Sequence, residues 1–359
     1  LTNGANTWTI SPLKHGTYTL NVIYNGDKNY LASSNSAVLI AKAYPVINIE
    51  VSESVVGKDA VINVYPYASI TVGQIGEKLS DLAEMKDMCI AYSDDGRGVQ
   101  NDEMMLNAMR LAKEHNKMIV AHCEVNDLLE GGYIHKGKYA EEYGHRGICS
   151  ESEWKQIERD IELVKQTGCA YHVCHISTKE SVDLIRQAKK DGVNITCETG
   201  PHYLTMNDCM LQENGRFKMN PPIRSAEDRA ALLEGIKDGT IDMIATDHAP
   251  HTEEEKGVGL LNAPSGIIGL ETALALGITS LVKEGHLTMM HLLDKLTYKP
   301  ALMYGLDSGY LTEGAAADLV IFDPEELWTV TDDFASKGKN SPFIGWELQG
   351  KVKYTICGG

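Results

Sequence analysis

From Tyr65 onward the chain keeps switching its hydrophobic period. Short apolar runs at Met118–His122, Cys169–His175, Val193–Glu198 and Ile241–Thr246 alternate with stretches of helical period. The helical stretches are Glu151–Thr167, Lys179–Asp191, Ala226–Asp238, Gly269–Lys283 and Met289–Leu296. In the first, Trp154, Ile157, Ile161 and Val164 fall on one face. Repeated β–α alternation requires crossovers and so a parallel sheet. No glycine-rich phosphate loop follows any of the runs, which favours a closed (β/α)8 barrel over an open doubly wound sheet. Two later runs, Ala317–Asp323 and Lys351–Ile356, read as further strands.

Residues 1–64 have a different texture. Thr17–Tyr24 alternates polar and apolar residues, the signature of a half-buried strand, and Asn25-Gly26-Asp27 follows as a turn. Ser36–Ala43, Val46–Val51 and Ala60–Val64 read as three more strands. This segment holds four lysines and four acids, so the whole net charge of −17 lies beyond it, as do all eight cysteines. The phrase YNGDKNYLASSNSAVLI resembles the last strands of Ig-like adhesin repeats. Such strands suit one solvated face, so the segment is expected beside the barrel rather than within it.

The charge argues against nucleic acid as a partner, because an acidic surface repels phosphate. No run approaches the length of a membrane span. The cysteines show neither a CxxC pair nor a scaffold spacing, which points to reduced thiols and a cytoplasmic enzyme.

Polar residues close the apolar runs, where barrel enzymes keep their chemistry. They are Ser93-Asp94-Asp95-Gly96, His122 in AHCE, His175 in CHIST and Asp247 in ATDHAPH. Two imidazoles with carboxylates suit zinc or a similar divalent ion. A bound ion lowers the pKa of water toward neutrality, and a nearby Asp can move protons. Cys123 and Cys174, beside the histidines, read as packing residues. His135 and His145 are most simply structural; His202, in GPHY, suits a structural role and a place in the pocket lining equally.

These residues sit in phrases that together closely resemble the bacterial class I dihydroorotases of the amidohydrolase superfamily. The phrases include YPYASITVGQIGEKL, SDDGRGVQ, IVAHCE, YHVCHISTKES, CETGPHYL, FKMNPPIR and IDMIATDHAPH. The resemblance implies a zinc-dependent, reversible closure of N-carbamoyl-L-aspartate to dihydroorotate, a small-molecule reaction of pyrimidine biosynthesis. It implies Asp95 as the metal-bridging carboxylate, with Asp94 as the lesser candidate. It also implies His122 and His175 as ligands, and Asp247 as ligand and general acid/base. Asn220, His251 and the Ser265-Gly266 backbone correspond to substrate contacts. Ser265 departs from the Phe usual there.

The family opens its barrel with a strand carrying HxHxR, and this chain contains no HxH. The expected fold is therefore an incomplete barrel over 65–305. An Ig-like β segment at 1–64, read as a fusion or mis-joined part, precedes it, and small β-sandwich strands at 306–359 follow. One well-held zinc is expected instead of the family's two, and activity is expected to be impaired. The open sheet edge favours aggregation or a homodimer. Two alternatives remain: a hydantoinase or allantoinase relative, whose metal bridge is a carboxylated Lys, and a surface-adhesion fragment carrying a passenger barrel.

Overall fold

The computed structural model describes residues 16–24, 33–41 and 62–359. The chain divides into two compact units. One comprises Tyr65–Gly309 and Ile321–Lys353; the other comprises residues up to Val64 with Tyr310–Val320 and Tyr354–Gly359.

In the N-terminal residues, β1 (Gly16–Tyr24) pairs antiparallel with β2 (Ser33–Ala41), from Gly16 opposite Ala41 to Tyr24 opposite Ser33. Among the described residues the two form a two-stranded sheet of their own. The expected strand at Val46–Val51 lies outside the described residues. Of Ala60–Val64, residues 62–64 are described and are irregular, so they do not form the expected strand.

Six strands make the parallel sheet, and their spatial order is their chain order. They are β3 (Tyr67–Ala68), β4 (Ala91–Tyr92), β5 (Met118–Ala121), β6 (Ala170–Val173), β7 (Ile195–Thr199) and β8 (Met243–Ile244). Pairing is in register, for example Met118 with Ala170 and Ala121 with Val173. Beyond β8 one more parallel bridge joins His248 to Ile267. Both faces are buried. Val120, Ala91 and Cys174 form an inner cluster with Met118 and Tyr304, while Ile119, Tyr171, Val173 and Ile195 pack outward into the main core. Burial on both sides explains why these strands read as continuous apolar runs. Among the described residues β3 and β8 are not paired with each other, so the sheet is an arc of a barrel.

The outer helices include α1 (Asp102–Glu114), α2 (Glu151–Thr167), α3 (Lys179–Lys190) and α4 (Ala226–Asp238). In α1, Met105, Ala108, Met109 and Ala112 repeat at helical spacing and are buried. Helix α4 opens on a capping box, Ser225 with Asp228, which satisfies its first amides. Where one helix over Gly269–Lys283 is expected, the chain instead forms α5 (Ala273–Gly277) followed by a π-helical turn, Ile278–Val282. The junction is at Gly277, where a Cβ would lie 2.6 Å from Leu292 Cδ1, so any larger residue there would push the Leu292 side chain aside. The last strands, β9 (Leu319–Thr329) and β10 (Glu347–Ile356), are longer than expected and form their own two-stranded sheet. Among the described residues no helix is long and apolar enough to cross a membrane.

Candidate active site

The loops at the C-terminal ends of β4, β5, β6 and β8 carry the polar residues. After β4 the two neighbouring acids divide their work. Asp94 is buried, and its carboxylate accepts from the Thr71 amide at 3.0 and 3.2 Å and from the Thr71 hydroxyl. That ties two loops together and leaves Asp94 no free oxygen for the histidines. Asp95 turns the other way. Its amide donates to Ser93 Oγ at 3.0 Å, and its carboxylate faces His122 and His175.

Asp95, His122 and His175 form the three-donor group that the described residues bring together. His122 Nδ1 and His175 Nε2 are 3.2 Å apart. Asp95 Oδ1 lies 3.2 Å from His175 Nε2 and 3.7 Å from His122 Nδ1. Tetrahedral zinc with bonds of about 2.0–2.1 Å holds its donors about 3.3–3.4 Å apart, so the triangle fits such an ion. Burial resists charge on His175, but Asp95 outweighs it and holds the imidazole up at about 10. Burial likewise opposes the Asp95 carboxylate, and the His175 hydrogen bond and charge override it, to about 2.

Asp247 lies outside the triangle but within its field. Burial pushes its carboxyl up, while His175 and His122 oppose the shift. His175 and Asp247 both adopt positive φ, 31° and 47°. For non-glycine residues that costs on the order of 1–3 kcal/mol each, and such strain concentrates at functional sites.

The loop bearing His175 is pinned from behind by Glu153 on α2, which is 3% exposed. Glu153 accepts from the amides of Ser177 and Thr178 at 2.9 and 3.1 Å, from both their hydroxyls, and from Ser181 Oγ at 2.7 Å. Arg224 Nη2 is 3.8 Å away. Glu153→Ala should strand these donors and a buried guanidinium, lowering unfolding free energy by about 3–5 kcal/mol. Denaturant unfolding measures this, and a loss under about 1 kcal/mol would count against the pin.

The expected substrate contacts fall into two groups. Asn220 Nδ2 donates to Glu124 Oε1 at 2.8 Å. The other Glu124 oxygen lies 3.8 Å from His122 Nε2, a buried nitrogen with no hydrogen-bond partner in the structure. Glu124 therefore stands between the metal triangle and Asn220. His251 Nε2 donates to the Ser265 carbonyl at 2.9 Å. Gly266 has φ of +127°, and a Cβ there would sit 2.6 Å from Ala249 Cβ, so this backbone position excludes any side chain.

An amidohydrolase family model matches residues 3–359. The chain belongs to the amidohydrolase family. Dihydroorotase from Bacillus caldolyticus is 51% identical over 301 residues, covering 83% of this chain and 70% of that protein. Dihydroorotase from Geobacillus kaustophilus matches with the same identity and coverage. Among solved structures, L-hydantoinase (dihydropyrimidinase) from Arthrobacter aurescens superposes with a TM-score of 0.70 at 27% identity, covering 82% of this chain and 68% of that one. Dihydropyrimidinase from Brevibacillus agri shares the fold at 21% identity, with a TM-score of 0.70 over 84% of this chain and 69% of its own.

The other singled-out residues of this amidohydrolase are tied into its frame. The Cys123 and Cys174 thiols are buried and pushed well up, which denies them thiolate character. His145 is bound by Glu213 and Tyr133, each at 2.7 Å. Burial drives the pKa of His135 down to about 4 and that of His202 to about 3, so both stay neutral. Sequence reasoning passed over Glu124, Glu153, Lys256 and Asn340. Only Glu124 carried a signal, two residues beyond His122 and so on the same side of an extended chain.

Proposed function

We propose that this chain is a dihydroorotase-type cyclic amide hydrolase whose Asp95, His122 and His175 hold one divalent ion, zinc by the chemistry of the donors. The observation that carries the reading is the three-donor triangle at the strand ends, in a chain half identical to dihydroorotases over most of its length. A bound ion would acidify water and polarise the ring carbonyl. Asp247, with its carboxyl raised by burial, is suited to hold a proton at its carboxylate and deliver it to the leaving ring nitrogen. Asn220, His251 and the Ser265-Gly266 backbone orient the ring. The chain is impaired as it stands, because no HxHxR strand supplies the other metal's histidines or an Arg for the substrate carboxylate.

The hydantoinase reading draws on the fold, which the L-hydantoinase shares. Against it, the bridging position here holds the carboxylate of Asp95, where hydantoinases use a carboxylated Lys. Cell fractionation tests the adhesion-fragment reading: recovery in the cytosol disfavours it. Dihydroorotate and a 5-substituted hydantoin, assayed side by side on zinc-loaded protein, separate the two enzyme readings. Turnover confined to dihydroorotate is expected; turnover confined to the hydantoin would overturn the assignment.

A further inference from the structure

Behind the Ser265-Gly266 backbone lies a lysine with no acidic partner. Lys256 is 2% exposed, and its ammonium donates to three carbonyls: Lys218 at 3.1 Å, Pro264 at 2.8 Å and Gly266 at 2.8 Å. Among the described residues no carboxylate lies within ion-pair distance of it. The nearest charge it feels is another cation, Lys218, whose own ammonium meets the Leu261 carbonyl and the face of the Tyr133 ring. In a chain of net charge −17, two buried cations satisfied only by dipoles are an unusual expense.

The carbonyls are not scattered. Gly266 N donates back to the Lys218 carbonyl at 3.0 Å, closing the loop around the ammonium. Asn340 fastens the same backbone from the other side. Its amide donates to the carbonyls of Gly266 at 3.1 Å and Ala249 at 3.0 Å, and its oxygen accepts from His251 N at 3.0 Å. Gly266 and His251, both assigned to the substrate above, are thus fixed to one frame.

We propose that Lys256 is a positioning residue that locks the Ser265-Gly266 ledge, and that its unpaired charge makes this ledge favour an anionic ring over a neutral one. The second half rests on the dihydroorotase reading; the first does not. Carbonyls drawn to the ammonium point away from the ligand, which leaves the opposite edge of the ledge and the positive potential behind it for a carboxylate.

The test uses the full chain, dihydroorotate, and dihydrouracil, which is the same ring without the carboxylate. Lys256→Met removes charge and donors, whereas Lys256→Gln removes the charge but keeps an NH2 donor and serves if the Met variant fails to fold. Both should weaken dihydroorotate by about tenfold while changing dihydrouracil by less than about threefold. Hydrogen exchange at the Gly266 amide should quicken in the Met variant and much less in the Gln variant. Equal weakening of both rings, or of neither, overturns the charge role. Unchanged Gly266 exchange in the Met variant, or in the Gln variant if only that one folds with dihydroorotate affinity intact, overturns the positioning role. If the unaltered chain binds neither ring, the dihydroorotase reading and the anion preference fall together, and the exchange result alone decides the positioning role.

Discussion

Zinc-loaded protein of this sequence should hydrolyse dihydroorotate at least about 10³-fold more slowly than a dihydroorotase with both metal positions complete. The structure shows why no local histidine compensates. His172, three residues before His175, points its Nδ1 at Thr196 Oγ1, 2.8 Å away, and its Nε2 at Glu198, 3.2 Å away. His248, three before His251, accepts from the Gly269 amide at 3.2 Å. His172 is held by Thr196 on β7 and His248 by the Gly269 backbone, so neither supplies the missing pair. Loss of one metal and of a charge-assisted carboxylate contact would together remove several kcal/mol of transition-state stabilisation. Replacing residues 1–64 with a family segment bearing HxHxR should restore turnover. In that repaired chain Asp247→Asn should lower kcat by about 10²–10⁴-fold, the usual worth of a positioned proton carrier. Steady-state assays of the three proteins check this. A normal rate in the unmodified chain would mean that the HxHxR residues are dispensable.

The sequence was most legible where a local rule and the tertiary fold agree. Helices Glu151–Thr167, Ala226–Asp238 and Met289–Leu296 appear at their expected bounds: the first stops at Gly168, the second opens on the Ser225 capping box and stops at Gly239, and the third opens on the Thr288 cap. Four of the six barrel strands, β5 to β8, stand out as apolar runs, but β3 and β4 and the hydrogen-bonded lengths do not. Ile241–Thr246 shrinks to Met243–Ile244, which pair with Glu198 and Thr199. Helix α1 escaped notice although its stripe is regular, because methionine and alanine make a weak apolar signal. Which of Asp94 and Asp95 faces the histidines could not be read from the pair. It depends on Thr71, more than twenty residues earlier, whose amide claims Asp94. Lys256 and Asn340 were invisible for the same reason: their partners are backbone carbonyls, which every sequence has.

On the proposed reading, Asp95, His122 and His175 make one complete half of an amidohydrolase metal centre. Their donors already stand at zinc-like spacings, and a site needs three to four protein ligands to hold its ion firmly. Asp247 and a shared Asp95 are too few for a second ion. Removing His175 leaves two donors in the triangle, so His175→Ala should bind zinc at least about 10²-fold more weakly, as expected when a ligand is removed outright. The direct measurement is zinc content of chelator-washed, zinc-reconstituted protein by elemental analysis, for the unaltered chain and for His175→Ala. About one ion per chain in the first and almost none in the second is the predicted result. Two tightly held ions in the unaltered chain, or one retained by His175→Ala, would contradict the account.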